Sequence, residues 1–182
     1  MMTLFKDDQM DTTVIGTSSR FKYFGPSKTR DEAVHALYND AEAMLPHLPM
    51  LFGMSIQDVE ARRNTQRCTF AKESMFLDVV SEGGELVAVA GFRDIVGDRA
   101  EWGIIVAPAF RRQRVCEEVF QANMTLLKGD VLQRSTVRAA TTEANDVMIR
   151  FLEKRMKRTG ETIGGTWVVF EADVDVSIKN EA

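Results

Sequence analysis

The sequence is poor in the residues that build metal centres and disulfide scaffolds. Its 182 residues include two cysteines, Cys68 and Cys116, and two histidines, His35 and His47. Neither histidine has a cysteine, a carboxylate or the other histidine at ligand spacing, so we expect no metal site and interpret both as ordinary surface or half-buried residues. Two thiols favour a reducing compartment over a disulfide framework, and we therefore expect a cytoplasmic protein.

Long hydrophobic runs and an excess of basic residues are also missing. The longest apolar stretch, residues 86–92, is much shorter than the roughly 20 residues that cross a bilayer, and residues 1–10 contain no apolar run typical of a secretory signal. The net charge of -4 argues against general nucleic-acid binding, which needs a clustered excess of Lys and Arg. We expect neither a membrane nor a nucleic acid as a partner.

Several catalytic signatures do not occur in the sequence. It contains no G-x-S-x-G nucleophile elbow, no G-x-G-x-x-G dinucleotide fingerprint and no Walker-type phosphate loop. With 45% hydrophobic and 27% charged residues, the composition is that of an ordinary globular domain. We expect one domain over residues 18–176, after a loose lead-in of residues 1–17 and before a short tail of residues 177–182.

Hydrophobic spacing predicts alternating strands and helices. A strand is expected at residues 20–24, a helix from Arg30 that Pro46 closes, and a short helix opened by Ser55 with Asp58 as its capping partner. Three strands in a meander follow. The remaining expected elements are a helix over 117–128, a strand over 136–140, a helix over 143–158 and a strand over 166–174. This order predicts a mixed α/β or α+β single domain.

The junction between the third meander strand and the next helix carries the strongest chemical signal. A buried strand ends at Pro108, a loop with Arg111, Arg112 and Arg114 follows, and a helix begins at once. Such a junction aims main-chain N–H groups and the positive end of the helix dipole at one point, which suits a phosphate or pyrophosphate. A solvated basic turn explains the same residues, and the physics alone leaves both readings open.

Four segments in order resemble the GNAT superfamily of acyl-CoA-dependent N-acetyltransferases, and within it the branch of the ribosomal-protein alanine N-acetyltransferases. These segments are residues 18–23, 85–92, 101–119 and 145–154, which are similar to the family's early strand, its hairpin, its coenzyme segment and its N-x-x-S-x-x-x-L-E-K segment. The resemblance implies a mostly antiparallel sheet that splays open in the middle. It also implies acetyl-CoA as co-substrate and a primary amine as acceptor, either a protein or peptide N-terminus or a small amine. A monomer and a homodimer both stay open.

The resemblance also implies the coenzyme site. Three residues at the strand end would pair with the pantetheine arm, the following loop would hold the pyrophosphate, and an asparagine would lie near the thioester. The implied cofactor-binding residues are Ile105, Val106, Ala107, Arg111, Arg112, Gln113, Arg114, Val115, Cys116 and Asn145.

Glu101 occupies the position at which many family members carry a general base. A carboxylate there would take a proton from the ammonium, directly or through a water, because only the neutral amine attacks a thioester. A main-chain N–H at the strand end would stabilise the oxyanion. The alternative is an ordinary strand charge that pairs with Arg99 or Arg138.

Three positions depart from the family pattern. The family has glycine where this chain has Arg114 and a glycine or alanine where it has Cys116, which we interpret as a small buried filler rather than as an activated thiol. The family's proton donor to the leaving thiolate falls on Met148 or Leu152, and neither side chain can donate. These departures favour, as alternatives, a weak or inactive acyl-CoA-binding regulatory module with the same fold, and more weakly an unrelated α+β interaction domain.

Overall fold

The computed structural model describes Met10 and residues 12–175 of the chain. Eight strands lie in this part of the chain: β1 (Val14–Thr17), β2 (Phe21–Phe24), β3 (Met75–Ser81), β4 (Leu86–Val96), β5 (Arg99–Val106), β6 (Thr136–Thr142), β7 (Lys157–Ile163) and β8 (Trp167–Asp173). They form one sheet in the order β1-β2-β3-β4-β5-β6-β8-β7. Every neighbouring pair is antiparallel except β5 and β6, which run parallel. The expected α/β fold with a mostly antiparallel sheet is confirmed.

Five α-helices connect the strands of the described chain: α1 (Asp31–Tyr38), α2 (Ala41–His47), α3 (Ile56–Cys68), α4 (Val115–Lys128) and α5 (Asp146–Glu153). Their starts follow from local chemistry. Ser55 and Asp58 form the expected capping box at the start of α3, and Asp40 caps α2 by accepting a hydrogen bond from the N–H of Glu42. Within the described residues, no helix is long and apolar enough to cross a membrane.

The two parallel strands separate halfway along their length. Their pairing runs from Arg99 opposite Thr136 to Trp102 opposite Ala139 and then stops, although β5 continues to Val106 and β6 to Thr142. We call the space between residues 104–106 and residues 140–142 the gap. The expected splay in the middle of the sheet is therefore present.

Helices cover both faces of the sheet. The Trp102 ring lies 4.9 Å from Phe120 of α4 and 6.1 Å from Phe151 of α5, which places α4 and α5 on one face. Because side chains alternate along a strand, Glu101, Gly103 and Ile105 lie on the opposite face. There Ile105 packs against a buried cluster that α1, α2 and α3 contribute.

The first expected helix is in fact two. The spacing predicted one helix from Arg30 to Pro46, but α1 ends at Tyr38 and α2 begins after Asp40. The carboxylate of Asp40 competes for main-chain N–H groups, which favours a new helix start over continuation. Leu45, which falls on the apolar spacing of the single predicted helix, is 52% exposed in α2.

Two strands were missed. Val14–Thr17 forms β1 inside the expected lead-in, and β7 begins at Lys157, inside the expected helix over 143–158. Every residue of β7 is exposed, so the strand has no apolar alternation for sequence reasoning to detect. The helix predicted there is only α5, which ends at Glu153.

Candidate functional site

The loop between β5 and α4 has an unusual main-chain conformation. We call residues 111–114 the arginine loop. Arg112 and Arg114 adopt left-handed conformations with φ of 61° and 57°, which costs a non-glycine residue about 1–2 kcal/mol. Left-handed residues in such a turn point successive N–H groups to one side and make an anion-binding concavity. Arg112 and Arg114 therefore both carry this strain.

The main-chain N–H groups of this segment are available. Helix α4 begins at Val115, and its N-cap residue Arg114 makes no side-chain cap. No described residue accepts a hydrogen bond from the N–H of any of residues 112–117, and the first bonded N–H in α4 is that of Glu118, which donates to Arg114 O at 3.3 Å. Free N–H groups and the helix dipole thus point to the same place, outside the arginine loop.

The three arginines of the loop do not behave alike. Arg112 and Arg114 are exposed and form no ion pair with any residue in the described chain. Arg111 instead donates from Nε to Val106 O at 3.2 Å and ion-pairs with Asp40 and Glu42 of the α2 segment. Arg111 thus differs from the other two arginines, because carboxylates balance its charge and its guanidinium lies against the strand end, and its contact with pyrophosphate stays a prediction.

Arg20, which lies between β1 and β2, holds the arginine loop in place by hydrogen bonds. Arg20 donates from Nη2 to Gln113 O at 3.0 Å and from Nε to Glu118 Oε2 at 2.7 Å. Burial raises the pKa of Glu118, but hydrogen bonds from the turn at Ser18, Ser19 and Arg20 outweigh it and hold that pKa below its usual value. The ionised Glu118 carboxylate is therefore paired with Arg20, which also holds the loop. Gln113 is held further by its own side chain, because its Nε2 donates to Ala109 O at 2.8 Å.

Cys116 and Val115 lie inside the first turn of α4 and pack against the core. Burial raises the pKa of the Cys116 thiol to about 12, so the thiol is neutral and unreactive near pH 7. The interpretation of Cys116 as a small buried filler agrees with this. The left-handed positions are Arg112 and Arg114, so residue 116 has no need of glycine.

The strand end presents alternate main-chain groups to the gap. Ala107 donates its N–H to Val87 O at 2.8 Å and accepts from Phe110 N at 2.9 Å, so both of its main-chain groups have protein partners, and its pairing with pantetheine stays a prediction. Because antiparallel pairing alternates, Ile105 faces β4 in the same way, whereas Ile104 and Val106 face the gap. Arg111 uses the carbonyl of Val106.

Asn145 lies on the other side of the gap. Its Oδ1 accepts from Met148 N at 3.2 Å and caps α5, and its own N–H donates to Thr142 O at 3.0 Å. The Nδ2 group has no hydrogen-bond partner in the described part of the chain. Met148 and Leu152 pack into the core, consistent with their inability to protonate a thiolate.

Glu101 is an ion-paired residue on the α1–α3 face. Arg93, opposite it on β4, donates from Nε to Glu101 Oε1 at 2.8 Å, and the carboxyl side chain is 13% exposed. The alternative that Glu101 pairs with Arg99 or Arg138 is wrong, because Glu101 pairs with Arg93 and Arg138 pairs with Glu161. Beside Glu101, a Cβ placed on Gly103 would have no atom within 4 Å. We call this open space over Gly103 the recess.

A basic groove lies next to the start of α4. It has a volume of about 370 Å³ and is lined by Glu117, Val147, Arg150, Phe151, Lys154 and Arg155. Arg155 stacks on the Phe151 ring at 4.1 Å and donates to Glu117 Oε1 at 3.0 Å. Arg150 and Lys154 supply exposed positive charge to this groove.

His47 is half-buried and not isolated. Its Nδ1 lies 3.0 Å from Thr142 Oγ1, at the end of β6. No group of three or more potential metal ligands occurs among the described residues. Sequence reasoning missed the contacts of Arg20, Ile104 and His47, because each depends on pairings between distant parts of the chain, and only the alternation along β5 gave a signal for Ile104.

Residues 23–155 match the family model described as an acetyltransferase (GNAT) domain. No curated protein is detectably similar to the chain in sequence. The remaining similarity is to solved structures.

Three solved structures illustrate the likeness of fold. A GNAT-family acetyltransferase from Bacillus anthracis is 19% identical with a TM-score of 0.71, and the alignment covers 88% of this chain and 98% of that one. An acetyltransferase from Salmonella typhimurium that modifies the N-terminal serine of a 50S ribosomal subunit protein is 14% identical, with a TM-score of 0.71 and coverage of 88% and 99%. Spermidine N-acetyltransferase from Vibrio cholerae, solved with CoA and spermine, is 13% identical, with a TM-score of 0.70 and coverage of 88% and 99%.

Proposed function

The chain belongs to the GNAT acetyltransferase family, and on that premise we propose that it transfers an acetyl group from acetyl-CoA to a primary amine. The observation that carries the proposal is the cluster of unbonded N–H groups at residues 112–117, beside the unpaired Arg112 and Arg114. A diphosphate is the part of the coenzyme that these groups fit, because it accepts several hydrogen bonds and carries negative charge.

The rest of the coenzyme follows from the neighbouring surfaces. The pantetheine arm would enter the gap and bond to the main-chain groups of Ile104 and Val106, with the free amide of Asn145 opposite. The phosphorylated adenosine end would lie in the basic groove at Arg150 and Lys154. The N–H of Val106 and the Nδ2 of Asn145 have no partner among the described residues, whereas the carbonyl of Val106 accepts from Arg111.

The acceptor would approach from the recess, on the α1–α3 face. The amine must be neutral when it attacks the thioester carbonyl, and the developing oxyanion needs a donor such as the N–H of Val106. Glu101 faces the recess and would hold a positively charged amine there by its carboxylate or accept its proton. The acceptor class stays a protein or peptide N-terminus or a small amine.

One observation favours a second candidate, an acyl-CoA-binding module with little or no turnover. Met148 and Leu152 are apolar where the family carries its proton donor, and the Glu101 carboxylate is engaged by Arg93. Loss of the donor does not by itself prevent catalysis, because a thiolate of ordinary pKa, about 8.5, is protonated by water near neutral pH.

One experiment separates the two candidates. The protein is mixed with acetyl-CoA, and its melting temperature is followed together with free-thiol release over a panel of spermidine, an N-terminal alanine peptide and an N-terminal serine peptide. Ligand binding to the folded state raises the melting temperature by mass action. Stabilisation with thiol release supports the transferase, stabilisation alone supports the module, and no response to acetyl-CoA contradicts both.

Removing one unpaired arginine is expected to weaken coenzyme binding without harming the fold. Arg112→Ala and Arg114→Ala should each raise the Kd for CoA about three- to tenfold, which corresponds to roughly 1 kcal/mol for an exposed charged contact. Arg112→Gly should weaken binding equally while raising stability by up to about 1 kcal/mol, because glycine adopts the left-handed conformation without strain.

The matched control is Arg99→Ala. Arg99 is exposed at the opposite end of β5, where no diphosphate contact is expected. Calorimetry with CoA measures all four variants, and equal Kd values for Arg112→Ala and the control would contradict the assignment of the arginine loop.

A further inference from the structure

Helix α2 bridges the two strands that separate. At its N-terminal end Asp40 ion-pairs with Arg111, which bonds to the end of β5, and at its C-terminal end His47 bonds to Thr142 at the end of β6. A helix of this size is about 10 Å long. It therefore lies across the mouth of the gap on the α1–α3 face.

The register of β5 and β6 shows where along the gap His47 makes its contact with Thr142. Trp102 lies opposite Ala139, so three residues further along each strand Ile105 and Thr142 face each other across the gap. By alternation Thr142 lies on the same face as Glu101 and the recess. The imidazole of His47 is therefore on the α1–α3 face of the gap, at the level of the main-chain groups of Ile104 and Val106 that face the gap.

The contacts and the pKa of the His47 imidazole suit proton transfer. Its Nδ1 lies 3.0 Å from Thr142 Oγ1, and the ring also interacts with the main chain of Pro46. Burial lowers the pKa of His47 below its usual 6.5, so the ring is neutral and able to accept a proton near pH 7. Glu101, by contrast, has one carboxyl oxygen occupied by Arg93, which donates to it from two nitrogens.

We propose that His47, oriented by Thr142, is the catalytic residue that accepts the proton of the acceptor amine, an inference that rests on the proposed function. The amine nitrogen bonds to the acetyl carbon, the carbon–sulfur bond breaks with its electron pair on sulfur, and the amine proton moves to Nε2. The imidazolium then gives a proton to the thiolate. His47 thereby acts first as the base and then as the acid. It takes the place of the proton donor that Met148 and Leu152 cannot provide.

The charged groups around the pair do not compete for this role. Glu143 follows Thr142 directly and ion-pairs with Arg158 of β7 at 3.9 Å. On α2 itself, Asp40 and Glu42 both pair with Arg111 at the far end of the helix. Burial, and not a neighbouring charge, is the dominant influence on the pKa of His47.

Labelling with bromoacetyl-CoA tests the proposal without knowledge of the acceptor. A nucleophilic nitrogen at the acyl end displaces bromide and forms a stable carbon–nitrogen bond. Mass spectrometry should find one adduct, on the peptide that contains His47, and excess acetyl-CoA should suppress it. His47→Gln should remove the adduct. The control His35→Gln should retain it, because His35 lies on α1 and its Nε2 is hydrogen-bonded to Met54 O.

The pH dependence separates a positioning role of Thr142 from a merely structural one. The labelling rate should rise with pH through the pKa of His47, below 6.5, and then level off, because only the neutral ring is nucleophilic. Thr142→Val should shift that midpoint, whereas a structural role would change the melting temperature alone.

The results that would contradict the role of His47 differ from those that would contradict the proposed transferase function. An adduct on Glu101, or no adduct while calorimetry on the same sample shows acetyl-CoA binding, overturns the role of His47 and leaves the transferase assignment intact. Absence of acetyl-CoA binding overturns both. For an acceptor that turns over, His47→Gln should lower kcat about 100-fold or more with an unchanged Kd for acetyl-CoA.

Discussion

Replacing Asp78 by asparagine is expected to lower the free energy of unfolding by about 3–5 kcal/mol, because it removes one of the two carboxylates that pair with the buried Arg63. Asp78 on β3 is fully buried and receives two 2.7 Å hydrogen bonds from Arg63 of α3, which is also fully buried. Arg30 and the N–H of Ser27 donate to the same carboxylate at 3.0 Å. Chemical denaturation of the variant and the parent measures the loss.

The control for this prediction is Asp94→Asn. The Asp94 side chain is 75% exposed and makes only a 3.9 Å contact with Arg93, so its loss should change stability by less than about 0.5 kcal/mol. Equal losses in the two variants would contradict the account of the buried network. The network matters for function because it fixes the α1–α3 layer against the sheet, and that layer positions α2 over the gap.

Filling the recess is expected to abolish amine turnover while sparing the coenzyme site. Gly103 has no atom near the position of a Cβ, so Gly103→Phe would project a ring into the open space beside Glu101. A displaced acceptor reacts about 100-fold more slowly or worse, because the attack geometry is lost. Thiol release with the acceptor found in the amine panel measures the loss.

The smaller variant Gly103→Ala is the matched control. Alanine adds only a Cβ, which the open space accommodates, so turnover should fall by far less than in the phenylalanine variant. Both variants should bind CoA with the Kd of the parent, because neither touches the arginine loop. Full turnover by Gly103→Phe would place the acceptor elsewhere.

The elements that sequence analysis identified are those with strong local signals. The capping box of Ser55 and Asp58 marked the start of α3, and two apolar runs separated by a glycine turn marked β3 and β4. The wholly exposed β7 carried no such signal, because it pairs with β8 at the edge of the sheet and buries neither face. Periodicity could not show the break between α1 and α2, because the apolar spacing continues across Asp40.

Some features of the candidate site could be predicted from the sequence and others could not. The arginine loop could be located from sequence, because the strand, the proline, the basic loop and the helix are contiguous along the chain. The different orientation of Arg111 could not, since its partners Asp40 and Glu42 belong to α2. His47 was interpreted as an ordinary histidine because its partner Thr142 lies 95 residues away.

The measurement that tests the central claim most directly is the response of main-chain amides to CoA in a two-dimensional ¹H–¹⁵N spectrum of the assigned protein. If the arginine loop binds the diphosphate, the largest shifts will fall on the unbonded N–H groups of residues 112–117, and 3′,5′-ADP will reproduce only part of them. Shifts that leave these amides unchanged at saturating CoA would contradict the account.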